Sequence, residues 1–187
     1  MRSTCVVTLV PREQAPLLAR PFYGDGRTSP ITRSLAHVPE LLEVTAPFVG
    51  RALSPGVLDA RVTEIAIVRT SALLGCRYCV QTHSVAALDA GLTRAEVRAL
   101  RGERALEDAF DRPAELALIG YVDGVATGRG PIAAEVRAPV ENDLGEPGLV
   151  ALTLLVGATM MLNRYCSALE LPTGARTLER LAAEGLA

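Results

Sequence analysis

Cys76, Cys79 and His83 are separated by three and then four residues, a spacing that stacks all three on one face of an α-helix. Gly75 closes the apolar run before them, so Cys76 to Ala90 reads as a fresh helix with both cysteines in or near its first turn. There the unpaired backbone N–H groups and the helix macrodipole favour a thiolate. A Cys-x-x-Cys pair on one turn is suited to cycling between dithiol and disulfide, with at least one depressed thiol pKa. His83 is placed to exchange a proton with Cys79. Glu64 lies twelve residues before Cys76 on a separate predicted helix, Leu58 to Leu74, and only a tertiary contact brings its carboxylate to His83.

The rest of the chain predicts an all-α fold. Hydrophobic residues make up 49% of it, yet it has no Trp and only 4% aromatics, so the core is built from Ala, Leu and Val, which favours packed helices. Residues 1–33 contain Pro11, Pro16, Pro21 and Pro30 with Gly24 and Gly26, and they read as an extended arm with one helical turn near Gln14 to Arg20. The all-helical domain then covers 34–187. Ser34 to Leu53 reads as the first long helix, with Leu41, Leu42, Val49 and Leu53 as its apolar stripe. After the motif helix, Thr93 and Glu96 form a capping box, and Arg101 to Arg112 reads as a polar linker. Pro113 opens a helix to Ala126, and a short one follows over Ile132 to Asn142. Glu146 to Leu169 is the most apolar helix, and Thr173 to Ala187 is a last amphipathic one with Leu178 and Leu181 inward. Fourteen residues, Leu149 to Leu162, are apolar nearly all round, too few to span a bilayer. Burial on several sides, partly against another subunit, is the expectation.

Charge and cysteine usage exclude several classes. The formal charge is −2, which leaves no electrostatic footprint for nucleic acid. Nothing in four scattered cysteines resembles a secreted disulfide framework, and the N-terminal apolar run is too short for a signal peptide. A cytoplasmic protein with reduced resting thiols, off the membrane, is expected.

Glu64-x11-Cys76-x2-Cys79-x3-His83 resembles the signature of the alkyl hydroperoxidase D-like (AhpD-like) branch of the carboxymuconolactone decarboxylase superfamily. The resemblance extends over the helix HVPELLEVTAPFVGRAL, the segment ALDAGLTRAEVRAL after the motif and the late MMLNRYCSALELP. It implies an AhpD-like helical domain assembled as trimers or hexamers, with no cofactor and no metal. It also implies a peroxidase in which Cys79 attacks a hydroperoxide, Cys76 resolves, His83 and Glu64 relay the proton, and an external dithiol or disulfide reductase supplies electrons. One position departs from the best-known peroxidases of this branch, which are similar but carry a histidine where this chain has Tyr78. The Tyr78 hydroxyl either lines the pocket or reaches solvent.

Other readings of the same residues remain open. A lactone-acid decarboxylase would use acid–base groups of the same pocket without a redox pair. A non-enzymatic thiol–disulfide module would oxidise once without turnover, and Cys76, Cys79 and His83 would supply three ligands to a metal. The alternative for Glu64 is an exposed helix carboxylate paired with Arg61 or Arg69, but a charge inside the apolar stripe around Ile65 and Ile67 favours the functional reading. Cys5 and Cys166 read as structural, His37 as a surface or capping residue, and Met160 and Met161 as core.

Overall fold

Proline spacing sets the path of the first segment. The computed structural model describes residues 5–24 and 28–187, so Gly26 and the first four residues of the expected arm lie outside the described residues. The arm makes two short 3-10 turns, Arg12–Gln14 and Leu17–Phe22. Its Ala15, Ala19 and Tyr23 pack on Ala36 and Leu42 as a small separate core. The Tyr23 hydroxyl donates to Val10 O at 3.0 Å, and the Val6 N–H donates to Leu169 O at 3.0 Å, so the arm crosses from the first helices to the end of a late one.

The single helix expected over Ser34 to Leu53 is two. Helix α1 (Pro30–Leu35) starts with its Ser29 side chain accepting from Thr32 N, and α2 (Pro39–Ala52) follows a break at His37 and Val38. Pro39 is the cause: the residue before a proline is pushed out of the helical region, and Val38 sits at φ −133°, ψ 75°. His37 is exposed, and its Nε2 lies 2.6 Å from Thr8 O, pinning the arm. Of the predicted α2 stripe only Leu42 is fully buried, while Leu41 points outward.

Helix α3 (Ala60–Leu73), N-capped by Asp59, is the centre of the molecule and packs most extensively against three others. These are α4 (Arg77–Asp89), α6 (Pro113–Thr127) and α7 (Ala134–Ala168); α5 (Arg94–Leu100) carries the predicted capping box. The main core joins Ile65, Ile67 and Val68 of α3 to Leu118, Ile119 and Val122 of α6 and to Leu152, Leu155 and Val156 of α7. Burying one such side chain contributes roughly 1.5–3 kcal/mol. Residues 101–112 contain no helix, as the polar composition predicts, but Phe110 anchors them in the core.

Helix α7 is bent at Gly145, whose φ of 67° and ψ of 174° separate the two helices predicted there; a left-handed φ costs glycine little and other residues more. By length and apolar content α7 passes as a membrane span, yet Leu152, Leu155, Val156 and Leu162 are spent on the protein core. Its far side is not buried within the chain: Val150 is 68% and Leu154 51% exposed, and Leu154 shares a cleft with Phe48 of α2, where Val44 is also exposed. Met161 likewise lies outside the core while Met160 packs on it. In α8 (Ala175–Ala183) Leu181 is buried, but Leu178 is 42% exposed, since α8 rests on α4 along a single narrow stripe. Among the described residues there are no strands, and the fold is all-α.

Candidate active site

The turn between α3 and α4 builds the site. Gly75, at φ 66°, lets the chain leave α3 sharply and begin α4 at once. Cys76 is the N-cap of α4, at φ −80° and ψ 94°, and its Sγ accepts from the Cys79 N–H at 3.4 Å. Both thiols are buried, with Sγ atoms 2.7 Å apart and no disulfide between them. A small approach completes the bond.

A third thiol completes the cluster. Cys166, from the second limb of α7, is buried with Cys76, Cys79 and Leu171, and Cys5 of the arm packs on the same group. Hydrogen bonding from Cys166, then from Cys79, pulls the Cys76 thiol down to about 3 against the opposing effect of burial, with further help from the Cys79 backbone N–H. The same interactions with Cys166 and Cys76, together with burial, push Cys79 up. Cys166 is raised to about 12, chiefly by Cys76. Cys76, at the helix N-terminus, is thus the thiol these interactions favour as the thiolate.

On the next turn of α4, His83 Nδ1 lies 2.9 Å from Glu64 Oε2 of α3. The tertiary contact that the spacing permits is therefore formed. The competing pairings for Glu64 are absent because the arginines are engaged elsewhere. Arg61 binds Glu96 and Glu115, the latter at 2.7 Å, and Arg69 holds Asp123 through two hydrogen bonds of 2.6 and 2.5 Å. Nδ1–H donating to Glu64 leaves Nε2 as the basic nitrogen. Among the described residues, no direct hydrogen bond joins His83 to a thiol, and no group of three His, Cys, Asp or Glu is arranged to hold a metal.

Tyr78 is half-buried and lines two clefts. One of ≈ 620 Å³ lies under the arm with Arg33, Thr82 and Arg176; the other, ≈ 340 Å³, includes Cys76 and Cys166. Burial first, then the neighbouring Cys166 and Cys79, raise the Tyr78 hydroxyl and keep it a neutral phenol. Glu64 borders a third cleft of ≈ 420 Å³ with Leu53, Leu58 and Asp89. Cys166 is what sequence reasoning missed. It stands 90 residues from Cys76, and no local pattern marks a contact that only the packing of α7 against α4 creates.

No curated protein matches the chain significantly. A crystal structure of a protein of unknown function from Agrobacterium tumefaciens, described as a candidate antioxidant defence protein AhpD, is similar in fold, with a TM-score of 0.67 and 18% identity. The similarity covers 76% of this chain and 96% of that one. Residues 39–120 match the carboxymuconolactone decarboxylase family. Glu64, both central cysteines and His83 fall inside that match, and the chain has an AhpD-like fold.

Proposed function

We propose that the protein is a thiol-dependent peroxidase acting on organic hydroperoxides. One observation carries this reading: a buried pair of free cysteines, 2.7 Å apart, with Cys76 at a helix N-terminus and a His83–Glu64 pair one turn beyond. A thiolate attacks the terminal oxygen of the hydroperoxide, the O–O bond breaks, and an alcohol leaves after taking a proton. The sulfur becomes a sulfenic acid. The second thiol then condenses with it, water leaves, and the Cys76–Cys79 disulfide forms. An external dithiol resets the pair by exchange.

The charge distribution favours the reverse of the roles that the family resemblance implies. Cys76 carries the thiolate and attacks; Cys79, held as a thiol, resolves. Resolution needs a base, and His83 one turn along α4 takes the Cys79 proton through an intervening water, oriented by Glu64. Turnover of cumene hydroperoxide with a dithiol tests the proposal: Cys76→Ser and Cys79→Ser both lose it. A single stoichiometric oxidation in the wild type, without turnover, identifies a redox module instead.

A second reading has its own support. Glu64 borders a cleft whose walls include neither cysteine, as acid–base decarboxylation of a lactone acid would need. Decarboxylation that survives complete thiol alkylation establishes it.

A further inference from the structure

Cys166 forms no bond in the chemistry above, yet its position is specific. It is buried in one cluster with both central cysteines, and its thiol interacts with each. The chain leaves α7 just beyond it: Leu171 N–H donates to Cys166 O at 3.0 Å, and Glu170 adopts φ 50°. The ≈ 340 Å³ cleft opens at this point, walled by Cys76, Cys166, Ser167 and Glu170. Cys79 is not in its wall. Cys166 and Cys76 border this cleft, and all three thiols are buried, Cys79 the least so.

We propose that Cys166 is a third redox thiol, which attacks Cys79 Sγ of the Cys76–Cys79 disulfide, expels Cys76 and leaves a Cys79–Cys166 disulfide for an external dithiol. This rests on the formation of the Cys76–Cys79 disulfide in the preceding reading, whichever of the two attacks the peroxide. One S–S bond breaks and another forms, so the step is redox-neutral; the Cys166 proton leaves and Cys76 departs as the thiolate. The external dithiol then attacks Cys166 Sγ and closes its own disulfide, returning Cys79 and Cys166 reduced.

Two features set the direction and order. Exchange is faster when the departing sulfur has the lower pKa, and of the disulfide pair that is Cys76. Before oxidation, Cys76 is also the main influence holding Cys166 protonated. Once Cys76 is in a disulfide that influence ends, and burial is what still raises Cys166. Cys76 is thus released as a thiolate before any reductant binds.

Diamide oxidises dithiols without a peroxide, so it tests the relay apart from the peroxidase reading. The reduced full chain is treated with diamide, alkylated with iodoacetamide at pH 5, and digested with trypsin. Cleavage after Arg77 puts Cys76, Cys79 and Cys166 on three different peptides. The expected product is a Cys79–Cys166 cross-link with Cys76 alkylated. In Cys166→Ser the cross-link reverts to Cys76–Cys79, and its reduction by dihydrolipoamide slows at least tenfold. A wild-type Cys76–Cys79 or Cys76–Cys166 cross-link overturns the proposal, and so does an unchanged reduction rate in Cys166→Ser. Inertness to peroxide together with a diamide-formed Cys79–Cys166 link removes the peroxidase reading alone. Wild-type mapping decides the case even if the variant misfolds.

Discussion

Replacing Cys166 by alanine should raise the pH at which Cys76 ionises. Cys166 is the largest contributor to the Cys76 thiolate, ahead of Cys79 and the Cys79 backbone N–H. A hydrogen bond to a charged group is worth about 1.5–3 kcal/mol, and one pKa unit is about 1.36 kcal/mol. Losing the Cys166 partner therefore moves the Cys76 transition upward by about one to two pH units. Thiolate absorbance at 240 nm reads this without needing reagent access to a buried sulfur. In the reduced wild type, the Cys76 thiolate persists from neutral pH down towards about 3, and Cys76→Ser removes that absorbance. The sign follows from the depression: the charge is present above the folded value and is lost as pH falls through it. A wild-type protein with no thiolate absorbance until pH 8–9, or a Cys166→Ala transition unchanged in position, refutes the assignment of the charge to Cys76.

Other consequences follow from the same contacts. His83→Ala should lower peroxide turnover by about 10²–10⁴-fold, the usual range for losing a general base, while the circular dichroism spectrum stays helical. Arg61 holds two carboxylates, Glu96 and Glu115, so Arg61→Ala leaves both without their shared cation; urea unfolding should show a loss of about 2–3 kcal/mol, below the full buried-pair figure because the site is partly wet. Leu152→Ala opens a hole where α7 meets the core and should cost about 2–5 kcal/mol in the same assay. The exposed Val44, Phe48, Val150 and Leu154 surface should mediate self-association, so light scattering should find an oligomer that Leu154→Glu disperses; a monodisperse wild-type monomer would remove that inference.

Helix punctuation was legible because it rests on local chemistry. Thr93 with Glu96, Pro113 and Gly145 each act within one or two turns, and each does in the structure what its residue type dictates. The 34–53 segment was misread where apolar content outweighed the steric rule at Pro39. Exposed Leu178, Leu41 and Met161 were misread because periodicity identifies an apolar face but not whether a neighbour covers it. At the site, the spacing of Cys76, Cys79 and His83 on α4 was local and readable. The Glu64 contact was readable as a possibility, and it is decided by Arg61 and Arg69 being occupied elsewhere. Cys166 was invisible, since its role depends on how α7 packs against α4, which no short-range pattern encodes.

The most direct test of the central claim is to count free thiols in the reduced protein before and after a small excess of cumene hydroperoxide, with a dithiol-driven turnover assay alongside. Rapid loss of two thiols from among Cys76, Cys79 and Cys166, restored by dithiol and repeated over many cycles, is the predicted result. No loss at any of these three, with only Cys5 oxidised or with no turnover, contradicts it.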